Sequence, residues 1–217
     1  MSDEIPVRPP TSSLRIVATL AVAGMLSGTL LVLVHQATQP RILAHKAEAL
    51  RQAVGTVLQQ PTTTQLLYRV DERLTAELPE GASERDFAQV HAGFDADGAL
   101  VGFAIAHSKA GFQDQVRVLF GWNPRSERLL GMKVLESRET PGLGDKIEKD
   151  LDFVGQFGSA STPLLGVKAG AGSGAQQEIH MITGATISSR VVIEVINEAA
   201  ADWAPLLEAW IAEAIGA

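Results

Sequence analysis

The chain has 217 residues, 46% of them hydrophobic, which suffices for one globular domain of ordinary size and an appendage. Its formal net charge of -7 argues against a nucleic-acid partner, which selects a basic face. It has no cysteine, which excludes disulfides, thiolate-ligated iron–sulfur clusters and CxxCH haem attachment, so a redox centre held by this chain must be of another kind.

Residues 1–14 are polar, include Pro9 and Pro10, and read as a short disordered tail. From Ile16 to Val34 the chain runs 19 residues without a charge. A helix of that length rises roughly 28 Å, close to the roughly 30 Å thickness of a bilayer's hydrocarbon. A cleaved signal peptide is the competing reading, but its apolar core is about 7 to 15 residues long and ends at a small-x-small site. This run is longer and has no clear Ala-x-Ala boundary, so residues 15–36 are predicted to be a retained transmembrane helix in the lipid bilayer. Gly24 and Gly28 within it form a GxxxG pattern that permits close approach of a second helix. Arg8 and Arg15 precede the span while Arg41 and Lys46 follow it, so charge leaves the orientation open.

Residues 37–62 are predicted as an amphipathic connecting helix, with Ile42, Leu43, Leu50, Val54, Val57 and Leu58 on its apolar side and Pro61 ending it. Short apolar runs divided by turn chemistry follow at 66–70, 87–94 and 99–107, with the turn Asp95-Ala96-Asp97-Gly98 before the last. A further hairpin is predicted from 115–122 and 129–136 around Asn123-Pro124-Arg125, with alternation at Val116, Val118 and Phe120. The class is therefore α+β: one N-terminal transmembrane helix, then a single domain, residues 63–217, with an antiparallel sheet and packed helices.

Beyond the hairpin lies Glu139-Thr140-Pro141-Gly142-Leu143-Gly144-Asp145-Lys146-Ile147. Pro141 biases Thr140 away from helix, and Gly142 and Gly144 let backbone approach a flat ligand. A Pro-Gly turn before a helix capped by Asp145 reads the same way. Residues 152–157 form a short segment that, if helical, puts Phe153 and Phe157 on one side. Residues 164–167 are predicted as a strand. The run Ala169 to Ala175 is small and Gly-rich but fits neither GxGxxG nor a P-loop, so it reads as a mobile connector.

Thr183-Gly184-Ala185-Thr186-Ile187-Ser188-Ser189 then precedes a helix predicted over 190–203, with Val191, Val192, Val195, Ile196 and Ala199 at helical spacing. Hydroxyl residues there are ordinary N-caps, and the same amides and helix dipole also favour a phosphate. A last helix is predicted over 205–215 with Leu206, Leu207, Trp210, Ile211 and Ala214 inward.

Thr183-Gly184-Ala185-Thr186 resembles the flavinylation motif of FMN-binding domains, Ser or Thr, Gly, Ala, Thr, whose last Thr carries FMN through a phosphoester bond. The Glu139 to Ile147 stretch resembles the signature loop of the G subunit of the Rnf ion-translocating electron-transport complex, and is similar to that of the C subunit of the sodium-pumping NADH:quinone reductase. The resemblance implies covalent FMN on Thr186, with Thr183, Gly184, Ala185, Glu139, Thr140, Gly142, Leu143 and Gly144 around it. It implies the other Rnf subunits as partners, and a flavin transferase that uses FAD and a divalent metal. It also puts the tail in the cytoplasm and residues 63–217 on the extracytoplasmic face of the inner membrane. The activity implied is electron relay within a translocase that exchanges electrons between ferredoxin and NAD while moving sodium ions or protons. This chain alone has no dinucleotide fingerprint for binding nicotinamide.

One position departs from the pattern. Many targets of the transferase have Asp six residues before the modified Thr, and here that residue is His180, with Glu178 two residues earlier. This motivates a second reading, a non-flavinylated structural or assembly subunit of the same kind of complex. A third is an FMN-binding domain of another extracytoplasmic reductase. The five histidines have no metal-ligand spacing, and no GxSxG elbow supports a hydrolase.

Overall fold

The computed structural model describes residues 12–216, so most of the predicted N-terminal tail lies outside the described residues. The chain divides into two units, residues 1–49 and 50–217. The first consists of the greater part of α1, Ser13–Val57, the one helix among the described residues long and apolar enough to cross a membrane. Its apolar side chains from Leu14 to Val34 are exposed.

The two helices predicted over 15–36 and 37–62 are a single helix here, running through Pro40 and stopping at Val57. A proline deletes only its own amide, the one that would reach the carbonyl four residues earlier, and the bonds on either side persist. The turn out of α1 is made by Gln59 and Gln60, both at positive φ, with Gln59 Nε2 donating to the Leu130 carbonyl at 3.0 Å.

The second unit is built on a six-stranded antiparallel sheet of β1 (Thr63–Val70), β2 (Arg73–Thr75), β3 (Gln89–Phe94), β4 (Leu100–Ala110), β5 (Gln115–Asn123) and β6 (Arg128–Glu136), ordered β2-β1-β3-β4-β5-β6. The alternation that predicted β5 puts Val116, Val118, Phe120 and Trp122 on one buried face. Against that face lies α4, Thr186–Ile211, with α3, Leu151–Gln156, beside it. Phe153 and Phe157 meet edge to face at 5.2 Å in this core. The opposite face receives Ala53, Val54, Val57 and Leu58 from the end of α1, packed on Ala104 and Leu119. Gly121 makes that contact possible, since a Cβ there would overlap the Val57 carbonyl.

Between β6 and α4 the chain forms α2, Lys146–Lys149, then α3, then β7 (Leu165–Lys168) and β8 (Glu178–Met181), a parallel pair packed on α4. Strands β2 and β8 were not predicted, because three or four residues are too few to show a period. The break predicted between 203 and 205 is absent: α4 continues through Pro205, where solvent-exposed Ala201 is the residue whose carbonyl loses its donor. Leu206, Leu207 and Ile211 are buried as predicted, whereas Ala214 is exposed.

The Gly-rich run is not a loose connector. Glu178 accepts from the Ser173 amide at 2.7 Å, the Ser173 hydroxyl at 2.7 Å and the Gly174 amide at 2.9 Å. The Ser173 hydroxyl, first among these donors, holds the Glu178 carboxyl below its ordinary range.

Candidate functional site

Helix α4 starts at Thr186, four residues before the predicted start, and its N-cap is Ala185, which offers no side-chain acceptor. The predicted capping by hydroxyls therefore fails, because the earlier start places Ser188 and Ser189 inside the first turn, on its buried side. Ser189 Oγ donates to the Ala185 carbonyl at 2.9 Å and accepts from the Ile182 amide at 3.2 Å. Gly184 sits at φ +84°, a left-handed conformation that costs a side-chain-bearing residue about 1 kcal/mol or more. Together these fix the approach to the helix and leave Thr186 and Ile187 exposed at its mouth.

Ser188 Oγ donates to Glu139 Oε2 at 2.9 Å. The other oxygen, Glu139 Oε1, accepts from the Phe112 amide at 2.8 Å and the Gln113 amide at 3.2 Å. Glu139 is only 5% exposed, and a carboxylate so buried is tolerable because three donors satisfy it. One side chain thus ties the β4–β5 turn, the segment after β6 and the start of α4 together. Gly144 is needed for closeness rather than for φ, since a Cβ there would stand 2.7 Å from Glu139 Cβ and 2.9 Å from Ser188 Oγ. Gly142, at φ +79°, turns the loop. The Leu143 amide bonds the Thr140 carbonyl at 3.1 Å, so it is engaged within the loop and is not available to a ligand. Asp145 does not cap α2. It bonds Lys149 Nζ at 2.7 Å, and this bond holds its carboxyl below the ordinary value.

The result is a cleft of about 340 Å³. Of the predicted residues it brings together Glu139, Thr140, Leu143, Gly144, Gly184, Ala185 and Thr186, while Thr183 and Gly142 do not line it. Sequence reasoning missed Phe112 as a lining residue and took Ser188 for a cap. An aromatic residue in the hairpin turn between two predicted strands was the available signal for Phe112. Phe112, Leu143 and Ile187 are 64%, 50% and 52% exposed and give the cleft an apolar rim. Two larger clefts, of about 500 and 550 Å³, lie along the sheet and hold none of the motif residues.

The residues fit FMN. Three exposed apolar side chains suit a flat ring, uncapped first-turn amides suit a phosphate, and an exposed hydroxyl stands between the two. His180 lies outside the cleft, exposed on β8, with its amide and carbonyl bonded to the Gln156 side chain at 2.7 and 3.2 Å. Glu178 cannot stand in for a missing carboxylate at position 180 while it holds the Ser173 loop.

Residues 111–201 match the family described as FMN-binding domain. Over 190 residues the chain is 26% identical to the G subunit of the ion-translocating oxidoreductase complex of Methanosarcina acetivorans, covering 85% of this chain and 91% of that protein. It is 29% identical over 202 residues to the protein of the same name from Pseudomonas aeruginosa, covering 87% of each. The crystal structure of Shewanella oneidensis NqrC is similar in fold, with a TM-score of 0.64 over 76% of this chain and 99% of that one, at 17% identity.

Proposed function

We propose that this chain, which carries an FMN-binding domain and resembles the G subunit of ion-translocating oxidoreductase complexes over most of its length, is the membrane-anchored electron-relay component of such a complex. The observation that carries this is the convergence of two motifs, separated by about forty residues of sequence, on one cleft with the Thr186 hydroxyl at its mouth. In this reading FMN is joined to Thr186 by a phosphoester. Bound FMN supplies one- and two-electron redox chemistry, and the protein supplies its seat and surroundings.

Each lining residue then has a task. Thr186 Oγ is the acceptor. A threonine hydroxyl is a weak nucleophile at neutral pH. Glu139 is the carboxylate that lines the cleft, and it is held by three donors, so a separate flavin transferase drives the attachment. The balance is simple: the hydroxyl oxygen bonds the FMN phosphorus of FAD, the pyrophosphate bond breaks, AMP leaves, and the hydroxyl proton departs with it or to solvent. Gly184 and Ala185 keep side chains away from the phosphate. Phe112, Leu143 and Ile187 exclude water from one side of the ring. Glu139 holds the three segments that carry them in register.

Helix α1 anchors the chain in the membrane, with residues 63–217 on the extracytoplasmic side and residues 1–14 in the cytoplasm. The assembled complex exchanges electrons between ferredoxin and NAD and moves sodium ions or protons. A second reading, a subunit that carries no covalent flavin, is favoured by one observation: His180 stands where a carboxylate would help the transferase, and Glu178 is committed elsewhere.

Intact mass separates the readings. Chain produced with an active flavin transferase should gain one FMN less water, and Thr186→Val should gain nothing and lose in-gel flavin fluorescence. Wild-type chain without that gain, alongside a control target that is modified, would leave only the second reading.

A further inference from the structure

We infer that Arg190 is the positioning residue for the phosphodiester on Thr186, its guanidinium holding the single negative charge against the first turn of α4. The inference rests on Thr186 being the attachment residue. Positions 186 and 190 are four apart within a 26-residue helix, which places their Cβ atoms about 5–6 Å from each other on one face. Helical side chains lean toward the N-terminus, so an arginine at position 190 is placed to reach back over the turn that Thr186 opens. Both residues are exposed there, whereas the intervening Ser188 and Ser189 are buried.

What makes Arg190 distinctive is that its ordinary partner is taken. Glu194, one turn further along, is the carboxylate to which an exposed arginine at 190 would turn. Instead Glu194 Oε2 lies 2.9 Å from Lys109 Nζ, reaching in from β4, and Lys109 also pairs with Glu198. Among the described residues Arg190 makes no ion pair. An unpaired arginine on a chain of net charge -7 is thus kept one turn from an uncapped helix start.

Several side chains near this end of α4 are already engaged. Ser188 Oγ bonds Glu139, Ser189 Oγ bonds the Ala185 carbonyl, and Lys149 bonds Asp145. The first-turn amides favour an anion, but their effect fades within a turn and gives no lateral orientation. A planar guanidinium offers two parallel donors to two phosphoryl oxygens, which fixes rotation about the ester as well as charge. Arg190 does not line the cleft beside the ring rim, so it acts on the phosphate and only through it on the ring.

The test uses the full chain and an active flavin transferase, comparing wild type with Arg190→Gln and Arg190→Lys. Three quantities are read: the rate of mass gain, the rise in unfolding midpoint between unloaded and loaded protein, and the ³¹P resonance of the loaded protein. The last two do not involve the transferase, so they separate phosphate positioning from enzyme recognition. Arg190→Gln should unfold, unloaded, at the wild-type midpoint, load roughly tenfold more slowly, rise less on loading and show a displaced ³¹P resonance. Arg190→Lys should recover most of the rate and of the midpoint rise but not the ³¹P position, because an ammonium supplies charge without the fork; should Arg190→Gln not fold, this variant decides by its resonance alone. Loading, midpoint rise and resonance all equal to wild type in Arg190→Gln would overturn the inference while leaving Thr186 as the attachment residue. Wild-type chain that never gains mass would remove both.

Discussion

Ser188 Oγ donates to Glu139 Oε2 at 2.9 Å across 49 positions of sequence, inside the protein, and this bond closes the cleft on its inner side. Both residues are nearly inaccessible, at 3% and 5% exposed. In such surroundings a hydrogen bond to a charged group is stronger than at the surface, and an orphaned partner costs more.

Glu139→Ala should therefore destabilise the domain by about 2–4 kcal/mol, since it strands the Phe112 and Gln113 amides as well as the Ser188 hydroxyl. Ser188→Ala should cost about 1–2 kcal/mol. Urea unfolding of the two variants and the double variant measures the coupling. Strict additivity would mean the two side chains do not act as a unit.

Glycine replacement distinguishes closeness from conformation. Gly121→Ala should cost about 2 kcal/mol or more, because the new methyl group meets the Val57 carbonyl and forces the end of α1 away from β5. Gly155→Ala should instead stabilise by about 0.5–1 kcal/mol, since Gly155 is exposed in α3 with nothing within 4 Å of an added Cβ. Thermal unfolding midpoints that move in the same direction for both would contradict the packing described.

Burial pushes the His91 imidazole below its ordinary 6.5. With a depressed pKa in the folded state, the unfolded chain takes up the proton first as pH falls through 6.5, so stability drops on the acid side and is unaffected above it. The cleft that His91 shares with Glu84, Arg117 and Asp202 holds charges of both signs, so the slope is assigned by comparison with His91→Gln. Urea midpoints between pH 7.5 and 5.5 should fall for the wild type and fall less for the variant.

Glu178 also loses its contribution on the acid side, but at lower pH. Its carboxyl is held below 4.5, chiefly by the Ser173 hydroxyl, so its hold on the Ser173 loop is fully present above 4.5 and is lost as pH falls through the lower, folded value. Amide exchange protection at Ser173 and Gly174 should disappear in Glu178→Gln at neutral pH. If protection in that variant equals wild type, the carboxylate is not what orders the loop.

Much of this architecture is legible in the chain. Val116, Val118 and Phe120 announce a strand because every second side chain points the same way. The charge-free run from Ile16 to Val34 announces a helix long and apolar enough to cross a membrane. Glu139 to Ile147 and Thr183 to Thr186 can be singled out by motif alone, and both meet the cleft. The serines were misread because an N-cap is a local device, whereas the true start of α4 was decided by which side of Ser188 and Ser189 could be buried.

The sequence by itself determined the long apolar helix, the antiparallel hairpins and the two motif stretches, since these depend on periodicity, run length and residue chemistry within a few positions. Only the tertiary structure decided that Glu139 turns inward, that Phe112 joins the rim, that Glu194 pairs with Lys109, and that helices run unbroken through Pro40 and Pro205. These depend on which distant groups compete for the same hydrogen bond or the same buried volume, and that competition is settled only when the chain has closed on itself.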